Sequence, residues 1–330
     1  MKRVVIGICL VLLVGATANL FPGRAQGTGA LKEQPPSNGG PPVNPLQVAL
    51  LRWYRANTTT SFKVGSQPYG VAFDGANIWT ANFGDGTVTK LRANDGEVLG
   101  TFKVGVEPYG VTFDGANIWV SNVGDGTVNK LRAIDGKALG TFKVGTPATW
   151  TAFDGAHIWV PNGTNTVTKL RASDGKNLGN FTVGNSPIAA AFDGANVWVV
   201  TNGDGRVGTV MKLRASDGKS LGTFKVGGAP LGIAFDSASM WIANGGDGTV
   251  SKLRASDGKT LGTFLAPGGP YGVAFDGTNI WVSGDPYLFE FRASDGGRLG
   301  RWYGAGGAGI AFDGANIWLA RLGTNAVHKF

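Results

Sequence analysis

Residues 113–120 read FDGANIWV, and close variants of that octet return six times: FDGANIWT (73–80), FDGAHIWV (153–160), FDGANVWV (192–199), FDSASMWI (235–242), FDGTNIWV (275–282) and FDGANIWL (312–319). Their opening phenylalanines stand 40, 40, 39, 43, 40 and 37 residues apart. Asp-Gly is hairpin-turn vocabulary, and the Ile-Trp-Val that follows is strand vocabulary. Neighbouring residues of a strand face opposite ways, so Ile118 and Trp119 lie on opposite sides of their sheet. Both sides must therefore be covered. Short strands repeating every forty residues, with both sheet faces buried, describe four-stranded blades stacked around an axis. The expected fold class is all-β, a seven-bladed β-propeller of four-stranded antiparallel blades.

One unit yields the strands: PYGVAFD (68–74), NIWTAN (77–82), TVTKLRA (87–93) and VLGTFKVG (98–105). Asp74-Gly75 and Asp95-Gly96 are expected to make two-residue type I′ turns, with Gly84-Asp85-Gly86 between them. Seven of the ten tryptophans share one position (79, 119, 159, 198, 241, 281, 318). They are read as inter-blade packing in preference to a ring of sugar-stacking aromatics, because a ligand site rarely needs seven equal copies. The last unit stops at Val327-His328-Lys329-Phe330, and its missing continuation occurs near the other terminus as Arg55-Ala56-Asn57 and Ser61-Phe62-Lys63-Val64-Gly65. An N-terminal strand is thus expected to close the ring and remove its open edge.

The 330-residue chain opens with Lys2-Arg3, an apolar run from Val4 to Ala16, and the small-x-small triplet Ala16-Thr17-Ala18. That is the pattern of a cleaved signal peptide over 1–18, and the apolar run is shorter than the ~20 residues of a spanning helix. An extracytoplasmic location (secreted, periplasmic or cell surface) follows, with no stable membrane span after cleavage. Cys9, the only cysteine, lies in this leader, so a mature chain has no thiol chemistry. Residues 19–46 are Pro/Gly-rich and read as a disordered linker, leaving 47–330 for the propeller. Loss of Lys2 and Arg3 lowers the formal charge from +8 to +6. The remaining basic residues are spread over the repeats rather than gathered in a stripe, which argues against nucleic acid as a partner. The alternating charges of KLRASDGK, as in Lys90, Arg92 and Asp95 or Lys252, Arg254 and Asp257, are read as solvated blade edges.

Units of the form VGxxPYGVAFDGxNIWVxNxGDGTVxKLRASDG resemble the repeats of YVTN-type β-propellers, within the wider seven-bladed group that includes streptogramin lyase-like and NHL-like propellers. The resemblance covers residues ~55–330. The family's strand becomes Ile-Trp-x-x-Asn here, its asparagine kept at Asn82, Asn122, Asn162, Asn202 and Asn244 and lost at Gly284 and Arg321. What the resemblance implies is chiefly a fold, since similar propellers serve as surface-layer components, ligand binders and scaffolds.

Length changes gather on one face, where Arg206-Val207-Gly208 is inserted after the second strand of the fourth unit; variation on one face of a repeat protein marks a candidate binding face. Entering the first strand on that face are Tyr69, Tyr109, Thr149-Trp150, Ile188, Leu231, Tyr271 and Ala308. Tyr69, Tyr109, Trp150 and Tyr271, with Arg206 nearby, are the candidate ligand-binding residues of a channel mouth; the competing reading is that the aromatics plug the channel. A non-catalytic binding or scaffold propeller, monomeric and without cofactor, whose partner is a small molecule or an extracytoplasmic protein, is the leading expectation. The alternative is a metal-assisted hydrolase or lyase with a divalent cation in the channel, as in lactonase-like or streptogramin lyase-like propellers. Only His157 and His328, and the glutamates 33, 97, 107 and 290, are available to it, with neither histidine set beside an acid in sequence. The repeated aspartates at 74, 114, 154, 193, 236, 276 and 313 are read as turn formers. Asp85, Asp125, Asp204 and Asp247 face the variable side and are read as turn residues in preference to cation ligands.

Overall fold

A computed structural model describes residues 60–163, 165–203 and 205–330. The expected leader and linker, Arg55-Ala56-Asn57 and Asp204 lie outside the described residues. The chain forms seven four-stranded sheets, every strand antiparallel to its neighbours. Blade one has its inner strand at Pro68–Phe73, then Asn77–Asn82, Thr87–Arg92 and an outer strand at Val98–Lys103. Six sheets use consecutive strands. The seventh takes three from the C-terminus, Ile310–Phe312, Ile317–Arg321 and Ala326–Lys329, and its outer strand from Ser61–Lys63. Ser61, Phe62 and Lys63 pair with His328, Val327 and Ala326, so the ring closes through the N-terminal strand as expected.

The turns differ from the expected type. In the first hairpin glycine leads the two central residues: Gly75 has φ +96° while Ala76 does not adopt positive φ, and Asp74 N–H donates to Asn77 O. Glycine at the first central position is the II′ pattern, not I′. The third hairpin is wider. Arg92 N–H donates to Glu97 O across the loop, and Gly96 has φ +73°.

That wider loop joins blades. A Cβ on Gly96 would lie 2.0 Å from the Phe62 ring of blade seven, and one on Gly136 would lie 2.1 Å from the Phe102 ring of blade one. In blades one to six the glycine of this third hairpin is thus a seat for the preceding blade's outer-strand phenylalanine. The same phenylalanine packs on its own blade's tryptophan, as in Phe102 and Trp79 at 5.6 Å or Phe62 and Trp318 at 5.5 Å. Six of the seven repeated tryptophans are fully buried. Trp281 is half-buried and stacks on Trp302, which replaces the phenylalanine in blade six. Beside Trp79, the blade-one face meets Ile118, Val120 and Leu131 of blade two. Inter-blade packing is therefore the role of the octet.

The lysines of KLRASDG are not solvated, contrary to the sequence reading. Lys90 and Lys252 are only 6% and 7% exposed. Lys90 Nζ crosses to the next blade and donates to Ala133 O at 2.7 Å and Ile134 O at 3.0 Å, with the Trp79 ring 5.3 Å away. Lys130, Lys169, Lys212 and Lys252 do the same, and Lys329 reaches Asn94 O of blade one. Two carbonyls and an indole face compensate the desolvated ammonium. The arginine and aspartate of the motif do sit at exposed edges, as Arg92–Asp95 and Arg254–Asp257. Blade six has Glu290 in place of the lysine, held by Asn279 Nδ2 at 2.9 Å.

Candidate functional site

Most repeated polar groups are committed to the blades. Asp114 accepts backbone N–H from Ala116 and Asn117 on Oδ1 and the buried Trp119 indole N–H on Oδ2 at 2.7 Å. The indole–carboxylate bond recurs in all seven blades. At Asp114, Asp154, Asp193 and Asp313 burial acts to raise the carboxyl pKa, but the indole, amide and backbone donors outweigh it and hold it below the ordinary value. These residues are turn formers, as read from sequence, and also anchors for the tryptophans.

The Gly-Asp-Gly aspartates are spent as well. Asp85, Asp125 and Asp247 accept the backbone N–H of Ser66, Val106 and Gly228 at 2.5, 2.9 and 2.6 Å, pinning the loop that enters each inner strand. His157 does touch an acid, its Nδ1 lying 3.1 Å from Asp154 Oδ2. It simply takes the place of the asparagine amide that serves blades one and two. His328 Nε2 lies 3.1 Å from Ser61 Oγ, within the closing blade. In blade four the strand position of Asn82 falls to Thr201, which pairs with Pro187 as Asn82 pairs with Pro68; Asn202 lies one residue beyond it.

The structure brings Tyr69, Tyr109, Trp150 and Tyr271 together. Tyr69 and Tyr109 stack with ring centres 4.8 Å apart, Tyr109 and Trp150 lie at 5.0 Å, and Trp150 meets Tyr271 edge-on at 5.0 Å. The Tyr109 and Tyr271 hydroxyls, from blades two and six, share a short hydrogen bond. Burial pushes the Tyr109 phenol up to about 12 and raises Tyr69 and Tyr271 too, so all three stay neutral at physiological pH. The four rings form a lid across the axis.

Glycine lets the inner strands come close enough for this. A Cβ on Gly70 would lie 2.3 Å from Tyr109 O, and one on Gly309 would lie 2.2 Å from Tyr69 O. Blade three departs from the pattern: Trp150 stands at the glycine position, and Thr149, at the tyrosine position, is buried against Pro161 O. Trp150 instead bonds in parallel to blade four, its N–H donating to Ile188 O. Beneath the lid is a cavity of about 140 Å³ lined by Val71, Val111, Ala189, Ile233, Val273 and Ile310. Thr151 and the backbone of Ala190, Gly232, Gly272 and Gly309 line it too, and no carboxylate side chain does. Among the described residues no three His, Cys, Asp or Glu side chains converge.

Arg206 does not belong to the aromatic half of the mouth. Its carbonyl lies against Gly228, over the junction of blades four and five, where Ile188 and Leu231 enter the inner strands. A different charged pair borders the lid. Beside Tyr69 and Tyr271 a second cavity of about 260 Å³ is lined by Asp285, Gly306, Gly307 and Arg321, between blades six and seven. Neither charged residue was singled out as a site from sequence; the available signal was the loss of the repeat asparagine at Gly284 and Arg321.

No family model matches the chain, and no curated protein matches it. Among solved structures it is similar to the hydrazine synthase of Kuenenia stuttgartiensis, with a TM-score of 0.70 over 81% of this chain and 97% of that one, at 16% identity. Likeness at that identity is a likeness of fold, and it agrees with the propeller architecture.

Proposed function

We propose that the chain is a non-catalytic extracytoplasmic binding propeller built of YVTN-type repeats, which presents one variable face to a small ligand or a protein partner. One observation carries this reading. Polar groups common to the blades are consumed by turns, tryptophan anchors and inter-blade clamps, whereas residues that differ between blades gather at one mouth of the channel. Selectivity has to come from positions where the repeats disagree. The extracytoplasmic part rests on the leader pattern, and the protein acts as a monomer without a cofactor.

Replacing Tyr109 and Trp150 together by alanine tests the reading. Capture of a specific extracytoplasmic partner or metabolite is expected to be lost while the ring still melts cooperatively. Capture that survives the double change but fails when the Arg/Asp edges of the opposite face are altered would place the binding face on the wrong side. The enzymatic alternative is checked by melting with Ca²⁺ or Mg²⁺. A large stabilisation, reversed by EDTA and abolished by substituting one mouth-side aspartate, would favour it.

A further inference from the structure

The groove between blades six and seven differs from the tops of blades one, two and five on this face. At the tops of blades one, two and five, a buried asparagine (Asn82, Asn122, Asn244) and a Gly-Asp-Gly aspartate fill the corresponding space. Blade six has Gly284 there, and blade seven has Arg321. The loop that enters blade seven, Gly304-Ala305-Gly306-Gly307, carries no larger side chain than a methyl. It cannot carry more at its centre, because a Cβ on Gly306 or Gly307 would lie 2.3 Å from Gly284 O or Ala320 O. The space so vacated is the cavity of about 260 Å³.

Its polar lining is unspent. The guanidinium of Arg321, a half-buried residue, and the carboxylate of Asp285, an exposed one, have no hydrogen bond or ion pair among the described residues. A guanidinium without a partner, on a residue that lines an open groove, calls for an anion, and a carboxylate can meet its fork with two parallel bonds. Asp285, on the other bank, calls for a cation. Tyr69 and Tyr271 supply an aromatic wall between them and the channel lid.

From this set we infer that the groove binds a small zwitterion, a free α-amino acid, with its carboxylate on Arg321, its ammonium toward Asp285 and an apolar side chain against the tyrosines. This rests on the binding-propeller reading and names its ligand class. Opposite charges on two different blades fix the ligand's direction across the groove. A simple anion would leave Asp285 repelling it, and a simple cation would meet Arg321.

The test uses the full chain and three defined probes, L-phenylalanine, N-acetyl-L-phenylalanine and L-phenylalaninamide, with calorimetry and melting as readouts. L-Phenylalanine is expected to bind more tightly than either blocked form. Arg321→Asn restores the residue that other blades carry at this position, which favours retention of the fold, and is expected to weaken L-phenylalanine at least about tenfold. Asp285→Asn is expected to weaken L-phenylalanine while leaving the N-acetyl form unchanged. No binding of any probe to the wild type at about 1 mM would overturn the assignment, as would equal binding by wild type and Arg321→Asn. Binding that persists in Arg321→Asn but is lost in the Tyr109→Ala/Trp150→Ala protein would overturn the groove while leaving the binding-propeller reading standing.

Discussion

Asp114→Ala should expose how the blades are anchored. The substitution removes the acceptor for the Trp119 indole at 2.7 Å and for two backbone N–H groups at 2.9 and 2.6 Å. Trp119 is fully buried, so its indole N–H has no water to turn to. An orphaned buried donor costs about 1–3 kcal/mol, and bonds to a charged acceptor contribute about 1.5–3 kcal/mol. The turn N–H groups lie nearer solvent and recover part of their loss. The net expectation is about 3 kcal/mol, or a fall of roughly 6 °C in melting temperature for a ring of this size. Asp114→Asn should fare little better, since the amide N–H₂ would confront the indole N–H.

The matched control is Asp135→Asn, an exposed aspartate in the same unit paired with Arg132, which should shift melting far less. Acidity gives a second check. The Asp114 carboxyl titrates below its ordinary value in the fold, so its stabilisation is present above the unfolded-state pKa and is lost as pH falls through the folded one. The gap between wild type and Asp114→Ala should therefore be full at neutral pH and close in acid. Urea melts followed by tryptophan fluorescence would measure both. An Asp114→Ala protein no less stable than Asp135→Asn, or a gap indifferent to pH, refutes the anchor.

Three further outcomes are expected. Phe62→Ala should destabilise the whole ring by about 3 kcal/mol, because Phe62 packs on Trp318 and seats on Gly96 of blade one; an unchanged melt would mean the closing strand is dispensable. Lys130→Met should cost about 1–2 kcal/mol and be insensitive to salt, since the ammonium is buried against two carbonyls; a salt-dependent loss would put that lysine in solvent. Burial first, and then the neighbouring Arg321 charge, lower the His328 pKa. Stability should thus be complete above the ordinary histidine value and decline as pH drops toward the folded one, and His328→Gln should remove that slope.

Much of the architecture was legible because a forty-residue period reports directly on a unit that cannot bury itself alone. The closing strand was legible for the same reason, as a unit cut in two and shared by the termini. Contacts that jump between units were not. Lys90 reads as a surface charge in its own strand, and only the blade beside it supplies the carbonyls that bury it. Gly96 reads as a turn residue, while its tightest constraint is a phenyl ring from the other end of the chain. Trp150 was correctly grouped with the tyrosines, yet it reaches them from a glycine position, by a detour of the inner strand that no hydrophobic period encodes. The weakest signal was an absence. The missing asparagines at Gly284 and Arg321 mark the groove, but nothing local joins Arg321 to Asp285 across two blades.

The seam and the groove bear on each other. Blade six is where the inter-blade lysine is replaced, by Glu290, so the clamp that ties the other blades to their successors has no counterpart there among the described residues. Burial and the nearby Asp276 carboxylate raise the Glu290 pKa, against the Asn279 hydrogen bond, so this position holds an acid bonded within its own blade where its equivalents add a cross-blade bond. The same junction joins the last complete blade to the one assembled from both termini. A ligand bridging Asp285 and Arg321 spans this junction from above. Since it would bind the closed ring and not the open chain, it stabilises by RT ln(1 + [L]/Kd), about 2.7 kcal/mol at a hundredfold excess over Kd. A groove at this junction therefore couples recognition to the stability of the folded ring, by an amount set by the ligand's concentration and Kd alone.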